Sequence, residues 1–211
     1  MAATPRTPTG ASLAETQPQP GLRERKKLKT RIAIRRATYR LIAEQGYEAT
    51  TIEQIAEAAE VSPSTVFRYF PTKEDIVLTD EYDPIMEAEL RARPAGEDPL
   101  DSIRAVLTQG LAAFIEEERE EVIQRTRLMV EVPAIRARMT ETMATTSELL
   151  VHALADRTGR SRDDLDVRVF TAAVLGAVRE VMLYWAARDH KDDLIALLDR
   201  ALTTIQGGLR L

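Results

Sequence analysis

The sequence predicts an all-α fold. Three observations carry that expectation. Apolar residues recur at helical spacing from Ile34 onward, no run alternates with the period of two that a half-buried strand requires, and helix start and stop signals recur along the chain. The 211 residues suffice for one large domain or for a small domain joined to a larger one, and length alone does not decide between them. No stretch approaches the roughly 18 uncharged apolar residues that span a bilayer, and the beginning of the chain lacks the apolar centre of a signal segment. A soluble, cytoplasmic protein without membrane contact is expected.

Each element has a local cause. Residues 1–21 carry Pro5, Pro8, Pro18 and Pro20 and few apolar side chains, so a disordered tail is expected. From Arg23 the chain becomes charged and helical; Ile34, Ala37, Thr38, Leu41 and Ile42 fall on one stripe, and Gly46 stops the helix. Thr51 caps a short helix whose inward positions are Ile52, Ile55, Ala56 and Ala59. Ser62-Pro63 repeats the start signal, with Ser as cap and Pro at the first helical position, and Pro71 ends that helix near Phe70. Thr72 opens the next one, with Glu74 and Asp75 in its first turn. Pro84 is expected to kink or split it, and Pro94-Ala95-Gly96 to end its second half. Further helices are read at about 99–118, 121–130, 133–157, 163–189 and 192–206. The chain thus divides into a tail (1–21), a three-helix helix-turn-helix unit (22–71) and a second helical unit (72–211).

The formal net charge of −5 conceals a division. Residues 22–73 hold 11 Lys/Arg against 6 acids, while the chain from 74 onward holds 17 against 27. Such polarity suits a first unit that meets phosphate and a second that stays off it. Cysteine is absent, and His152 and His190 have no acidic or imidazole neighbours at metal-binding spacing, so no metal or cofactor is expected and both read as surface or helix-end histidines. The acidic pairs Asp163-Asp164 and Asp192-Asp193 sit where helices begin, which capping explains without catalysis. An enzyme is not expected.

Two short helices joined by a tight turn describe a helix-turn-helix, whose second helix can enter a DNA major groove. In the segment from Ser62 to Phe70, Val66 and Phe70 share the inward face, leaving Ser62, Ser64, Thr65, Arg68 and Tyr69 outward. Hydroxyls and a guanidinium on one face suit phosphate and base edges. On spacing alone, the segment equally fits a surface helix of some other bundle.

The wider pattern is more specific. From Ile34 to Ile76 it reads Ile34-x2-Ala37-Thr38-x2-Leu41-Ile42-x3-Gly46-Tyr47-x2-Thr50-Thr51-x3-Ile55-Ala56-x2-Ala59-x-Val61-Ser62-x2-Thr65-x-Phe67-x-Tyr69-Phe70-x2-Lys73-x2-Ile76. This resembles, without a gap, the DNA-binding region of the TetR/AcrR family of regulators. The resemblance implies double-stranded operator DNA as partner, with Thr51 and Ser62 capping helices whose ends approach phosphate. It implies that Ser64, Thr65, Arg68 and Tyr69 face the groove, and that Lys73 meets the backbone. Phe67 stands where the family usually has Tyr, which removes one hydroxyl-to-phosphate bond, and Glu60 replaces a turn residue that is often Gly. The basic lead-in Arg23, Arg25, Lys26 and Lys27 fits a flexible arm reaching DNA, or a solvated extension of the first helix.

The family resemblance also implies a homodimer formed by the last two long helices. Residues 170–187 are apolar nearly all round apart from Arg179 and Glu180, with small residues at Ala172, Ala173, Gly176 and Ala177 that let another helix approach. Phe114, Arg127, Glu131, Met143, Arg179, Tyr184 and Trp185 are candidate walls of an effector pocket, although most of the apolar ones fit a packed core as well. The segments Thr79-Asp80-Glu81-Tyr82-Asp83-Pro84, Arg125-x-Arg127-Leu128 and Val132-Pro133 resemble an actinobacterial subgroup with a mycofactocin-regulator-like C-terminal domain. That resemblance implies acyl-thioester-like effectors, whereas the acidity of the second unit favours lipophilic, cationic, drug-like ones. Repression by blocking a promoter is the family's usual mode.

Overall fold

The computed structural model describes residues 22–79 and 82–210, so the expected tail at 1–21 lies outside it. Among the described residues there are nine helices and no strand: α1 (Leu22–Gln45), α2 (Ile52–Ala58), α3 (Pro63–Tyr69), α4 (Lys73–Leu78), α5 (Tyr82–Ala92), α6 (Pro99–Glu131), α7 (Pro133–Thr158), α8 (Leu165–Ala187) and α9 (Leu194–Gln206).

The first three helices close on a small core of Ile34, Ile55, Ala56, Val66, Phe70 and Ile76, all buried. Their ends follow the expected signals. Gly46 stops α1 at φ +86°, Thr51 and Gln54 form a reciprocal capping box on α2, and Ser62 caps α3 with Pro63 at the first helical position. Between α2 and α3 the Val61 amide donates to the Ala56 carbonyl across Glu60, which adopts φ +56°. This is the Schellman arrangement, built with a glutamate where glycine would be unstrained.

α4 belongs to two cores at once. Ile76 completes the first, whereas Val77 and Leu78 join Tyr39, Ile42, Leu128, Met129, Ile135 and Met139 in a second cluster. A polar clasp reinforces the join. Arg138 of α7 grips Asp75 through Nε at 2.8 Å and Nη2 at 3.2 Å, and Arg35 of α1 reaches Glu121 at 3.0 Å and Glu118 at 2.9 Å. Burial works against the Asp75 charge, but bonds from Arg138 and Thr72 outweigh it and hold its carboxyl below the usual range.

Two expectations need correction, and a third holds in altered form. The basic lead-in is not a flexible arm in this structure but the first turns of α1, because Leu22 to Lys29 contains only good helix formers and no Gly or Pro. Pro84 does not kink a helix running from Thr72: α4 ends at Leu78, and Pro84 lies in the first turn of α5, where its missing N–H costs no helical bond. The helices read at 99–118 and 121–130 follow one another without a gap as α6, and the expected division between them is present as a break at Glu118, with φ −130° and ψ 33°.

The second unit packs α5 to α9 around further clusters, one of which holds Val122, Val181, Trp185, Leu194 and Leu198. By length and composition α8 could cross a membrane, yet Val167, Thr171, Val174, Val181 and Trp185 place one face inside the bundle. Its opposite face is not covered by the described residues: Leu165, Val169, Ala172, Gly176, Glu180, Tyr184 and Ala187 form an exposed stripe. A methyl group placed on Gly176 would touch none of the described residues within 4 Å.

Candidate DNA interface and ligand cavity

The exposed side of α3 is polar except at Pro63, which opens the helix, and Phe67. Ser62, Ser64 and Arg68 are exposed, Thr65 and Tyr69 are half-buried, and Phe67 is 51% exposed with no polar atom to offer. Ser62 Oγ lies 2.9 Å from both Ser64 Oγ and Thr65 Oγ1, and it accepts from the Thr65 amide at 3.2 Å. The three hydroxyls form one cluster at the helix N-terminus, where backbone N–H groups are otherwise without partners. The Arg68 guanidinium lies 5.2 Å from the Tyr69 ring centre, and Tyr69 also packs against the first core. Thr51 opens α2 with its side chain exposed. Arg23, Arg25, Lys26 and Lys27 are all exposed on the extension of α1.

Lys73 stands apart from this face. Its ammonium donates to the carbonyls of Tyr47 at 2.7 Å and Thr50 at 2.9 Å, and sits 4.0 Å over the Tyr47 ring. It therefore fastens the α1–α2 turn to the start of α4. The neighbouring Tyr47 hydroxyl donates to Glu74, and burial followed by that carboxylate pushes the phenol up.

The second unit contains a cavity of about 270 Å³ walled by α4 to α8. Most of the wall is aliphatic or methionine, including Leu78, Met86, Leu107, Met129, Met143, Leu150, Val174 and Met182. Glu87, Arg125, Thr126, Thr142, Thr146 and Arg179 supply polar groups. An apolar hollow with a few convergent polar groups is what a small-molecule site requires.

Of the seven candidate pocket residues, Met143 and Arg179 line this cavity. Arg127 and Glu131 are exposed, because on α6 they fall outside the inward phase set by Val122, Thr126 and Met129. Tyr184 is on the outer stripe of α8, 41% exposed. Trp185 is a core residue, with its indole N–H donating to the Asp192 carbonyl at 2.8 Å. The side chain of Phe114 lies outside the described residues. His190 follows α8 as expected of a helix-end histidine but is buried: Nε2 is 2.8 Å from Thr126 Oγ1, its ring meets Trp185 edge-on, and burial lowers its pKa. Sequence reasoning missed Arg125 as a wall residue, although its spacing of three from Val122 and four from Met129 places it on the apolar face.

A short helix, a tight turn and a second short helix with a polar outer face make a helix-turn-helix, and its attachment to a hollow helical unit gives the architecture of a transcriptional regulator. Comparison with known proteins carries this further. Residues 34–79 match the model of the bacterial regulatory proteins of the tetR family, and residues 97–210 match the MftR C-terminal domain. The chain belongs to the TetR family of transcriptional regulators.

Among curated relatives, the HTH-type transcriptional regulator TcmR of Streptomyces glaucescens is 36% identical over 86% of this chain and 84% of its own. The putative mycofactocin biosynthesis transcriptional regulator MftR of Mycobacterium tuberculosis is 26% identical over 80% of this chain and 85% of its own. Among solved structures, Thermus thermophilus FadR in complex with lauroyl-CoA superposes with a TM-score of 0.58 at 26% identity, covering 86% of this chain and 95% of that one.

Proposed function

We propose that the chain is a cytoplasmic, homodimeric repressor that sits on a pseudo-palindromic operator and leaves it when a small lipophilic effector fills the cavity. The observation that carries this reading is α4, which contributes Ile76 to the core beneath α3 and Leu78 to the cavity wall. One six-residue helix thus touches both sites. The division into a reading unit at 22–71 and an effector unit from 72 onward fits this arrangement, with α4 as the shared member.

In this reading Ser64, Thr65, Phe67, Arg68 and Tyr69 meet the groove and its walls, Thr51 and Ser62 bring helix ends to phosphate, and Lys73 keeps the α1–α2 turn in place beside the backbone. Arg23, Arg25, Lys26 and Lys27 extend α1 toward neighbouring phosphates. The exposed stripe of α8 supports dimerisation, since its small residues, Gly176 among them with no described residue within reach of an added methyl group, leave room for a symmetry-related helix. The effector is acyl-thioester-like: Arg125 and Arg179 on an apolar wall suit a ligand with an oxygen-rich head, and FadR of Thermus thermophilus is known with lauroyl-CoA. A cationic drug-like ligand is less well served, because the acidic wall residue Glu87 is already paired with Arg91 at 2.8 Å.

Selection of bound fragments from the source genome, followed by titration at several salt concentrations, tests the DNA half of the proposal. Affinity should fall steeply as salt rises, since several Lys and Arg displace counterions in each subunit. Arg68→Ala and Tyr69→Ala should each weaken the operator complex by about 1–3 kcal/mol while helicity and dimer remain. A flat salt dependence, or equal affinity for random duplex, would remove the operator reading.

A further inference from the structure

Within the cavity wall one polar contact is made to α4 itself. Arg125, on α6, lines the cavity and donates from Nη2 to the main-chain carbonyl of Leu78 at 2.7 Å. Leu78 is the last residue of α4 and lines the same cavity. Carbonyls in the last turn of a helix have no partner within that helix, so a guanidinium placed there satisfies an otherwise open acceptor and faces the negative end of the helix dipole. The preceding carbonyl, of Val77, is held in a different way: it accepts from the Tyr39 hydroxyl at 3.0 Å. The C-terminal end of α4 is therefore held from two sides, by Tyr39 of α1 within the DNA-reading unit and by Arg125 of α6 at the cavity.

Resting on the effector reading above, we propose that Arg125 is the residue through which cavity occupancy reaches the DNA-reading unit. An oxygen on the effector, from a carboxylate, thioester or phosphate, accepts from the Arg125 guanidinium in place of the Leu78 carbonyl. Arginine is suited to this exchange, because its charge persists at any working pH while its fixed fork of donors reaches one acceptor or the other. The Leu78 carbonyl, deprived of its donor, turns to solvent, and the last turn of α4 loosens. Ile76, two residues earlier, forms part of the core that supports α3. Arg125 is thus a positioning residue for DNA binding and the specificity-determining contact for the effector's polar head.

The remainder of the wall is consistent with this division of labour. Thr142 turns its hydroxyl proton back to the Arg138 carbonyl of its own helix at 3.3 Å, and Thr126 is engaged by the Val122 carbonyl and His190 at 2.8 Å each. Neither is placed to donate to an effector oxygen, which leaves that task to the arginines.

Wild-type protein and Arg125→Met, which keeps the length and apolar stem of the side chain, would be titrated with lauroyl-CoA, dodecanoate and dodecyltrimethylammonium. Probe binding is followed by calorimetry and operator binding by fluorescence anisotropy on the selected fragment. Saturating lauroyl-CoA is expected to weaken operator binding of the wild type at least tenfold. Arg125→Met is expected to bind the same probe within about tenfold of wild type yet lose less than twofold in operator affinity when saturated. Should both proteins release the operator equally, the acyl reading stands and the role given to Arg125 is overturned. Should the wild type bind only the cationic probe, the acyl reading falls and takes this inference with it. A measurement on the unaltered protein guards against a variant that fails to fold: amide exchange at Ile76 to Thr79 should quicken at least threefold on saturation with lauroyl-CoA. Unchanged exchange there would overturn the proposal independently of any mutation.

Discussion

The two halves of the molecule bury apolar side chains to opposite ends. Around α1 to α3 the core is small and filled, with Ile34, Ile55, Val66, Phe70 and Ile76 at or below 1% exposure. In the second unit a comparable wealth of aliphatic and methionine side chains surrounds about 270 Å³ that they do not fill. Filled interiors transmit force and hold one shape, whereas a hollow forgoes dispersion contacts and leaves room for another arrangement. A reading head that must match a fixed groove is built the first way. A receptor whose shape changes on binding is built the second.

Stability measurements can break that comparison. Phe70→Ala should cost about 3–5 kcal/mol in urea unfolding, because nothing near it can collapse into the space. Met143→Ala, beside a hollow already present, should cost under about 2 kcal/mol, mostly for lost apolar contact. Equal losses would mean that the cavity is as tightly packed as the first core and the contrast is false.

The clasp between the halves sharpens it. Asp75 has a carboxyl held below its ordinary range, so its contribution is complete above about pH 4, the unfolded value, and disappears as pH falls through the lower folded value. Asp75→Asn should lower Tm by a few degrees at neutral pH, and the difference from wild type should vanish in acid. A constant difference from pH 7 down to pH 2 would assign the loss to the Thr72 cap and not to the charge on Asp75.

The smallest effect is expected at the turn before α3. Glu60 holds φ +56°, a conformation costing a non-glycine residue about 1–2 kcal/mol. Glu60→Gly removes that strain but adds backbone entropy to the unfolded chain, for a net gain of at most about 1 kcal/mol. Operator affinity should rise as well, through loss of a negative charge near phosphate. A fall in both would show that the glutamate side chain has a positive role at the turn.

Punctuation was the most legible part of the sequence. Thr51, Ser62, Thr72 and Gly46 act where they stand because capping is decided by a residue and its three or four neighbours. Helical phase was legible in principle and was read incompletely. Arg127 and Glu131 are candidate pocket walls by sequence, yet they point outward, while Arg125 on the inward phase lines the cavity. Trp185 and Met143 could not be distinguished beforehand, since an apolar residue at core spacing has the same pattern whether its neighbour is a side chain or a void. The end of α4 at Leu78 was equally hidden, for the proline that announces a break comes six residues later, in the next helix.

If Arg125 acts as proposed, the break in α6 at Glu118 separates occupancy from response. An unbroken helix of 33 residues would be a rod of about 50 Å, and pressure on one end would be felt at the other. Here the segment before the break meets the cavity through Ile103, Val106 and Leu107, while the segment after it carries Arg125 and is bonded to α1 through Glu121 and Gln124. A molecule that rests only against the earlier segment would then gain affinity without efficacy. In pharmacological terms it would be an antagonist of the proposed repressor, occupying the cavity, excluding the inducer and leaving the operator bound. Screens that score thermal stabilisation would rank such compounds beside true inducers, and only an assay of operator release would separate them.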